Sequence, residues 1–519
     1  MKKLITFIFS LMFAASLIAA PWNGTAATAY AGGSGTATDP YQIATAEQLA
    51  YLASQTNTVT SYSVGLYFKL TANIDLGGTL QWTPIGINTT GFKFAGVFDG
   101  NDHLISNIFY NATVTTTNSY VGLFGYIAGA TAGSAVIKNA TVTGSLTAAN
   151  FVGGFAGRAD NVTFWNCING ASVKGSTAVS GTGTVVGGIT GRLGSGSTIS
   201  YCSNQGTIIG VGDYAGGIAG GASSGTIAAP CLIQYCSNSG NVSGSTLDAG
   251  GITGYGGGQL TINQCFNTAS ISALQGAGGG IDGYGGDATA SPGTLKTIIN
   301  NCYNTGNVSS NSPKTTATPP YTSGGILGYT SAKWYYTLSN CYNTGSVTNT
   351  NGAQVILGYY YTTGAPAGWA IAPSNCYFLS TLTAASSNGG IGLASTDLMA
   401  AASLLNNGQS PAVWSADATS INAGNPILTW QLLSVPALNT AVNNIEFQDL
   451  KVYSVGKTIQ VDLNEVRSYD LSLYSINGSL IDHQIATQSH LSTNVSQSGL
   501  YFAKITDGLR CSVSKIIVQ

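Results

Sequence analysis

Residues 300–306 read NNCYNTG, and residues 340–345 repeat most of that stretch as NCYNTG. Both copies belong to a longer series in which a cysteine returns every 29 to 39 residues. The series consists of Cys167, Cys202, Cys236, Cys265, Cys302, Cys341 and Cys376. Self-similarity at such a period indicates a repeat architecture, because each copy forms one unit that stacks on the next.

An asparagine follows the cysteine by two residues in the copies from Cys167 to Cys341, and the unit reads Cys-x-Asn-x-Gly-x-[Ile/Val], with Ala269 replacing the glycine in one copy. An asparagine at a repeated turn can hydrogen-bond through its amide to the copies above and below, and it tolerates left-handed backbone angles. We therefore predict an asparagine ladder at Asn204, Asn238, Asn267, Asn304 and Asn343.

A glycine motif runs ahead of each cysteine unit. Its copies are VGLFG (121–125), VGGFAG (152–157), VGGITG (186–191), AGGIAG (215–220), AGGITG (249–254), GGGIDG (278–283), SGGILG (323–328) and a degenerate ILG (356–358). These segments are short and rich in glycine and β-branched residues, and none places apolar residues at helical spacing. Short strands separated by turns are therefore expected.

The two motifs together predict an all-β fold, a parallel β-helix in which each repeat forms one coil and equivalent residues stack about 4.8 Å apart. A cysteine at one inward position would act as a small apolar side chain in a narrow core. Paired glycines suit a corner where a side chain would collide with an adjacent strand.

The redox state of the cysteines is open to two interpretations. Export favours disulfides, but in-register parallel strands point their Cβ atoms the same way, which is poor geometry for a bridge. We expect buried free thiols, with Cys231 and Cys236 as the best candidates for an exception. No histidine lies among these cysteines, so a metal site is not expected.

The N-terminus, MKKLITFIFSLMFAASLIAA, joins two lysines to an apolar run and is typical of a secretory signal peptide. Cleavage after Ala20 and cleavage near Ala29–Ala31 both fit, within a signal and cleavage region spanning 1–31. A membrane anchor is the alternative interpretation. No later segment offers 18 consecutive apolar residues, so no transmembrane segment is expected in the mature chain.

The regions flanking the repeats have different compositions. We assign 32–110 to an N-terminal cap, with a helix at 45–53, because a solenoid must cover its open edges. Repeats occupy 111–380, and 381–440 supplies a C-terminal cap and linker with a helix at 395–407. The last segment, 441–519, alternates in the manner of strands and predicts a small β-sandwich.

Two resemblances follow from these motifs. The GLFG, GGITG and GGILG series, with NIDLGG, WTPIG and FDGNDHLISNI before it, resembles the GLUG-repeat proteins of bacterial surfaces over most of 36–430. Such repeats accompany adhesin-like proteins and occasionally proteases. The chain has no HExxH motif and only three histidines.

The C-terminal segment resembles the type A sorting domain of the type IX secretion system, through LSLYSINGSLI, SGLYFAKITDG and the terminal KIIVQ. The Pro-Asn-Pro often found near the start of such domains is replaced by VYSVGKT (452–458). The resemblance implies that the partner is the type IX secretion machinery, with export across both membranes to the cell surface or medium. It also implies removal of this domain and attachment to surface lipopolysaccharide.

Aromatic residues form a candidate binding strip. The residue that follows each glycine motif gives a column of Tyr126, Arg158, Arg192, Gly221, Tyr255, Tyr284, Tyr329 and Tyr359. If the four consecutive rings from Tyr255 to Tyr359 point outward, they could stack against sugar faces. A self-stacking row that only stabilises the rod explains the column as well. A further row at Tyr201, Tyr235, Phe266, Tyr303, Tyr342 and Tyr377 changes register and is expected to pack internally.

Catalysis has one weak candidate. Asp282 occupies a slot that holds Ala, Thr or Leu in other copies, and Asp287 follows in the same coil. Two carboxylates are what glycoside cleavage requires, but solvated turn residues explain the pair equally well.

Charged residues make up 7% of the chain and the net charge is -2, so nothing suggests nucleic-acid binding. The sequence therefore predicts an exported, non-enzymatic, adhesin-like protein that contacts glycans or host matrix and needs no cofactor. The alternative is a polysaccharide lyase or glycosidase on the same scaffold.

Overall fold

A computed structural model shows the architecture of the chain. It describes residues 22–112, 120–176, 184–222, 225–286, 296–311, 322–330, 335–350, 352–360, 373–382, 388–433, 451–462, 469–475, 480–486, 490–506 and 511–518. The first 21 residues, which contain most of the predicted signal peptide, lie outside these ranges. Contacts divide the chain into two units, 1–407 with 414–430 and 408–413 with 431–519.

The N-terminal end of the first unit is covered by a helix, Ala46–Thr58. Thr45 caps it by accepting a hydrogen bond from the Gln48 N–H, and the Gln48 side chain accepts one from the Ala44 N–H. Leu49 and Leu52 are fully buried and pack into the core that continues through the repeats. The helix closes the apolar end of the rod, as expected of a solenoid cap, and extends five residues past the predicted end at residue 53.

Two parallel sheets carry the glycine motifs, each with eight strands in the described residues. The glycine sheet contains Tyr120–Val121, Phe151–Gly153, Val185–Gly187, Tyr214–Gly216, Asp248–Gly250, Gly278–Gly279, Ser323–Gly324 and Ala353–Gln354. The tyrosine sheet contains Phe124–Ala128, Ala156–Asp160, Thr190–Leu193, Ala219–Ala222, Thr253–Gly256, Asp282–Gly285, Leu327–Thr330 and Leu357–Tyr360. Each of the eight motif copies thus supplies one strand to each sheet.

A third parallel sheet, the cysteine sheet, has 24 strands in the described residues. They are Tyr41–Ile43, Tyr67–Leu70, Ile74–Asp75, Val97–Asn111, Ala135–Ala148, Val162–Asn169, Ser172–Gly175, Thr198–Ser200, Ser203–Asn204, Ile208–Gly210, Cys231–Gln234, Ser237–Asn238, Val242–Gly244, Leu260–Asn263, Phe266–Asn267, Ile271–Ala273, Lys296–Asn300, Tyr303–Asn304, Val308–Ser310, Tyr335–Ser339, Tyr342–Asn343, Val347–Asn349, Tyr377–Leu379 and Ile391–Leu393. Strands pair with their equivalents one repeat away, so the predicted parallel β-helix is confirmed.

The cysteines of the series form one column inside the rod. Their flanking residues pair in register from coil to coil, and the seven side chains are at most 1% exposed. Each thiol donates to the carbonyl two residues before it, as Cys236 Sγ does to Gln234 O at 3.1 Å. Burial raises the pKa of the Cys236 and Cys265 thiols, which therefore stay protonated at neutral pH.

The described cysteines are free thiols, and Cys231 and Cys236 are not bridged to each other. Cys231 lies outside the column and donates to Gly194 O at 3.1 Å. Burial raises the pKa of its thiol to about 12. The side chain of the ninth cysteine, Cys511, lies outside the described residues.

The asparagines form a continuous hydrogen-bonded ladder in the interior. Amide-to-amide bonds of 2.7–2.8 Å join Asn169, Asn204, Asn238, Asn267, Asn304 and Asn343 in order. Each Nδ2 also donates to the carbonyl two residues later, as Asn267 does to Ala269 O at 2.8 Å. These side chains are 0% exposed, and the shared bonds satisfy amides that would otherwise be costly to bury.

The second glycine of each pair faces this ladder across the narrow interior. A Cβ built on Gly251 would lie 2.0 Å from Gly280 O and 2.6 Å from the Asn267 side chain. Gly217 has the same relation to Gly251 O and Asn238. The glycines are therefore required by close approach of neighbouring coils, and not by backbone angle.

The left-handed backbone position is not at the ladder asparagines, where the sequence suggested it. It is the residue immediately before each cysteine: Asn166, Tyr201, Tyr235, Gln264, Asn301, Asn340 and Asn375, with φ of 50–55°. Four of the seven are asparagine, the residue that accepts this conformation most readily after glycine. A side chain at that position leaves the ladder register, so the ladder asparagines keep strand geometry.

The region after the repeats lies along the side of the rod as well as at its end. The helix expected at 395–407 is divided into Ser395–Met399 and Ala402–Asn406. Trp414–Ser415 then pairs antiparallel with Ile427–Leu428, and a 3-10 helix spans Thr429–Leu432.

Trp414 and Trp430, from the segment 414–430, cover the second aromatic row. Trp430 lies 5.9–6.1 Å from the rings of Tyr201, Tyr235 and Phe266, and Trp414 lies 6.1 and 5.6 Å from those of Tyr303 and Tyr342. Trp430 Nε1 also donates to Gln264 O at 3.0 Å. This row is therefore used in packing, as expected from its change of register.

The second unit contains two antiparallel sheets. One consists of Lys451–Val455, Thr458–Asp462 and His490–Asn494, and the other of Tyr469–Ser475, Leu480–Ala486, Gly499–Thr506 and Cys511–Val518. Ile459 and Val461 from the first share one core with Leu473, Ile505 and Ile516 from the second. Two sheets around a common core form the small β-sandwich predicted for this segment.

Candidate binding surface

The column predicted to follow the glycine motifs lies on the tyrosine sheet. Strand pairing joins Tyr126, Arg158, Arg192, Gly221, Tyr255, Tyr284, Tyr329 and Tyr359 as consecutive partners. Most of these side chains are half-buried, and Tyr126 is buried. One line of side chains thus follows the whole rod, and its two halves differ in chemistry.

In the C-terminal half the tyrosine rings stack on one another. Centroids are 5.6 Å apart for Tyr255 and Tyr284, 5.5 Å for Tyr284 and Tyr329, and 5.8 Å for Tyr329 and Tyr359, with interplanar angles of 10–18°. The faces of the inner rings are therefore turned towards neighbouring rings. A sugar ring could stack on them only by displacing one, so the geometry favours the self-stacking interpretation over the sugar-binding one.

One member of this stack was missed by the sequence interpretation. Tyr214, on the glycine sheet, lies 4.7 Å from Tyr255 at 20° and 6.5 Å from Tyr284. Its own coil has Gly221 in the column, so the ring leans over a position without a side chain. The signal for it would have been the complementary pairing of Tyr214 with a glycine in one repeat.

The N-terminal half of the column carries cations packed on rings. Lys93 Nζ lies 4.3 Å and Arg158 Cζ 5.0 Å from the centroid of Tyr126. Arg158 Nε is 3.0 Å from Asp160 Oδ2, which also accepts a hydrogen bond from the Tyr126 hydroxyl. Burial raises the pKa of Tyr126, so the phenol remains neutral beside both cations.

Arg192 continues the same arrangement one coil further. Its guanidinium carbon lies 5.5 Å from the centroid of Phe151, which in turn packs against Tyr120 at 5.2 Å. The next position, Gly221, has no close neighbour: a Cβ there would meet Val185 at 3.4 Å, an ordinary contact. The glycine is therefore not required by packing, unlike Gly251 in the interior.

A polar groove of about 350 Å³ lies on a different surface. It is lined by Ser272, Ser309 and Thr348, which are partners on consecutive strands of the cysteine sheet, and by Asn311 and Asn349. Hydroxyls and amides at coil spacing offer donors and acceptors but neither charge nor an aromatic platform.

Asp282, the catalytic candidate, is inside the rod and 0% exposed. Its carboxylate accepts hydrogen bonds from Thr253 Oγ1 at 2.7 Å and the Tyr336 hydroxyl at 3.0 Å. Burial outweighs these bonds and raises its pKa to about 7. A polymer outside the rod cannot reach this group, and Asp287 lies outside the described residues.

The described residues contain no cluster of three or more side chains suited to a metal ion. Among them there is also no helix with the length and apolar character needed to cross a bilayer.

Comparison with known families identifies the end of the chain. Residues 455–519 match the secretion system C-terminal sorting domain, which confirms the sorting domain predicted from the sequence. Fold and match together define the class: an exported β-solenoid protein that is displayed at the cell surface or secreted. The secretion machinery is accordingly a partner.

Two curated proteins are similar to parts of the chain. Halomucin of Haloquadratum walsbyi is 33% identical over 155 residues, which is 28% of this chain and 2% of halomucin. A protein of Evansella cellulosilytica, named as a candidate Gly-rich membrane protein, is 35% identical over 121 residues, 22% of this chain and 12% of that protein. The matched region therefore spans a small fraction of either relative.

One solved structure, described as a candidate immunoglobulin A1 protease from Bacteroides ovatus, aligns with 77% of this chain and 95% of its own. The sequence identity is 22% and the TM-score is 0.45.

Proposed function

We propose that this protein is a non-enzymatic, adhesin-like surface protein whose GLUG-type solenoid contacts glycans or host matrix after export. The sorting domain at 455–519 carries the proposal, because it delivers the rod to the outside of the cell. Regular outer columns of rings, cations and hydroxyls supply a long contact surface. After sorting, the rod would be held at the outer membrane through surface lipopolysaccharide.

The burial of Asp282 supports a contact role over the alternative of a carbohydrate-active enzyme. Glycoside cleavage needs two carboxylates on either side of an accessible bond. Asp282 is enclosed by Thr253, Tyr336 and neighbouring backbone, where it serves the core.

Deletion of residues 441–519 tests the export part of the proposal. We expect the truncated protein to remain in the cell envelope, while the full chain is found at the surface or in the medium by protease accessibility of intact cells. A control fuses the same residues, after an export signal, to an unrelated reporter, which should gain surface exposure. Surface display of the truncated protein would contradict the assignment.

A panel of polysaccharides and matrix proteins tests the contact part. We expect the purified mature chain to bind some of them without releasing reducing or unsaturated ends. Turnover that is abolished by Asp282→Asn, with folding retained, would instead establish an enzyme. Absence of binding across the panel would remove the adhesin-like role while leaving export intact.

A further inference from the structure

Positive charge is concentrated at one place on this weakly charged rod. The chain has 17 Lys and Arg in 519 residues, yet Lys93, Arg158 and Arg192 gather around Tyr126 and Phe151. We call these five residues the basic cluster. Arg158 and Arg192 are direct partners on neighbouring parallel strands, where like charges repel. Such a pair is expected to attract a counter-charge.

Asp160 supplies only part of that charge. It accepts from Arg158 Nε at 3.0 Å and from the Tyr126 hydroxyl, so its carboxylate is shared between a cation and a phenol. Three cations beside this one carboxylate leave an excess of positive charge on the surface. Lys138, by contrast, has its own partner in Asp99 at 3.3 Å.

The rings hold the cations in place. Lys93 and Arg158 both lie over Tyr126, and Arg192 lies over Phe151, at 4.3–5.5 Å. A guanidinium stacked by its face keeps its N–H donors at its edge, in the geometry that suits carboxylate and sulfate. Because the side chains are already ordered, they lose less conformational freedom when an anion binds. The Arg158 side chain is 27% exposed, so it is open to solvent.

We infer that the basic cluster binds acidic polysaccharide, through carboxylate or sulfate groups on consecutive sugars. Cations one coil apart suit a polymer with repeated charges better than a single small anion. The half-buried rings of Tyr120 and Phe151 offer apolar contact for sugar faces beside the charges. A chain that continued along the column would next meet Gly221 and the tyrosine edges. This inference rests on the proposed function and names its ligand class.

The test compares charged and neutral forms of one polymer on the full mature chain. We expect polygalacturonate and heparin to bind at least 10-fold more tightly than fully methyl-esterified polygalacturonate, and binding to weaken as salt rises from about 50 to 500 mM. Arg192→Gln should weaken polygalacturonate binding at least 5-fold, and Arg192→Lys should restore part of it. Lys174→Gln, an equal loss of charge at an exposed site on the cysteine sheet, should leave binding unchanged.

A gain of function keeps the inference falsifiable if Arg192→Gln folds poorly. Gly221→Arg places a third arginine next in the column, where the first side-chain atom meets only ordinary contacts, and should tighten binding at least 3-fold. Equal affinity for charged and neutral polymers, equal losses for Arg192→Gln and Lys174→Gln, or tighter binding of a DNA oligonucleotide would overturn the inference. Retained surface display and binding of neutral glycans in those cases would leave the proposed function standing.

Discussion

Two columns of this solenoid repeat one residue at one position but obey different rules. The asparagine ladder continues from Asn169 to Asn343 without substitution, and its amides are wholly buried. The column on the tyrosine sheet passes through tyrosine, arginine and glycine along the same line. Each ladder amide needs the next one to satisfy its hydrogen bonds, whereas an outer side chain can turn to water. Interior repetition is therefore obligatory, and exterior repetition is free to vary.

The glycines show the same contrast. Gly251 lies against the backbone of the next coil and the ladder, while Gly221 faces open surroundings with its nearest neighbour at 3.4 Å. A repeated residue thus indicates structure when it faces inward, and departures from a repeat on the outside are the better guide to recognition. The basic cluster is such a departure.

Breaking the ladder should have the largest effect. Asn267 makes amide bonds to Asn238 and Asn304 and two bonds to Ala269 backbone. Asn267→Leu leaves several buried groups with fewer partners, at about 1–3 kcal/mol each, for a total of roughly 3–6 kcal/mol. The midpoint of urea unfolding measures the loss. A loss no greater than that of Tyr284→Leu would show that the two columns are equivalent.

The interior also contains the group that should make stability depend on pH. The pKa of Asp282 is raised from 3.8 to about 7, so the folded state keeps a proton that the unfolded state has lost. The contribution is full below pH 4, falls as pH rises from 4 to 7, and is constant above that. At about 1.4 kcal/mol per pKa unit the fall is about 4 kcal/mol.

Unfolding of the wild type and Asp282→Asn at pH 4 and pH 8 isolates this contribution, since the amide does not titrate. The difference between the two proteins should shrink or reverse at the higher pH. Parallel pH profiles would show that the carboxyl is ionised in the folded state and that burial does not control it.

The paired glycine variants sharpen the comparison without changing polarity. Gly251→Ala forces a methyl group against Gly280 O and should cost about 1–3 kcal/mol or more. Gly221→Ala should change stability by less than about 0.5 kcal/mol. Thermal unfolding of both variants provides the measurement, and similar values would remove the distinction between inner and outer positions.

Loss of one outer ring should have the smallest effect. Tyr284 stacks between Tyr255 and Tyr329 at 5.6 and 5.5 Å. Tyr284→Leu keeps apolar contact and loses two ring stacks, so we expect a cost of about 1 kcal/mol by urea unfolding. A cost above about 3 kcal/mol would mean that the rings carry as much stability as the ladder.

Much of the fold could be predicted because the repeat states which residues lie over one another. The cysteine spacing, Asn204 to Asn343 and the column through Tyr255 and Tyr359 all occupy equivalent coil positions. Less could be predicted about direction. Asp282 faces inward although a free turn residue was an equal expectation, and the left-handed residue comes before the cysteine and not at the ladder asparagine.

Contacts that do not repeat were not predicted at all. Trp430 meets Gln264 across 166 positions, and Lys93 joins Tyr126 from a loop that carries no repeat motif. No pattern in the chain indicates such pairs, since each occurs once.

By itself the sequence determined the parallel solenoid, its columns and the C-terminal sorting domain, because stacking makes periodic neighbours into spatial neighbours. Only the tertiary structure decided which columns face inward, which rings turn their faces to one another, and where charge gathers. Those outcomes depend on the curvature of each coil and on single contacts between distant segments, and neither is written in the spacing of the repeat.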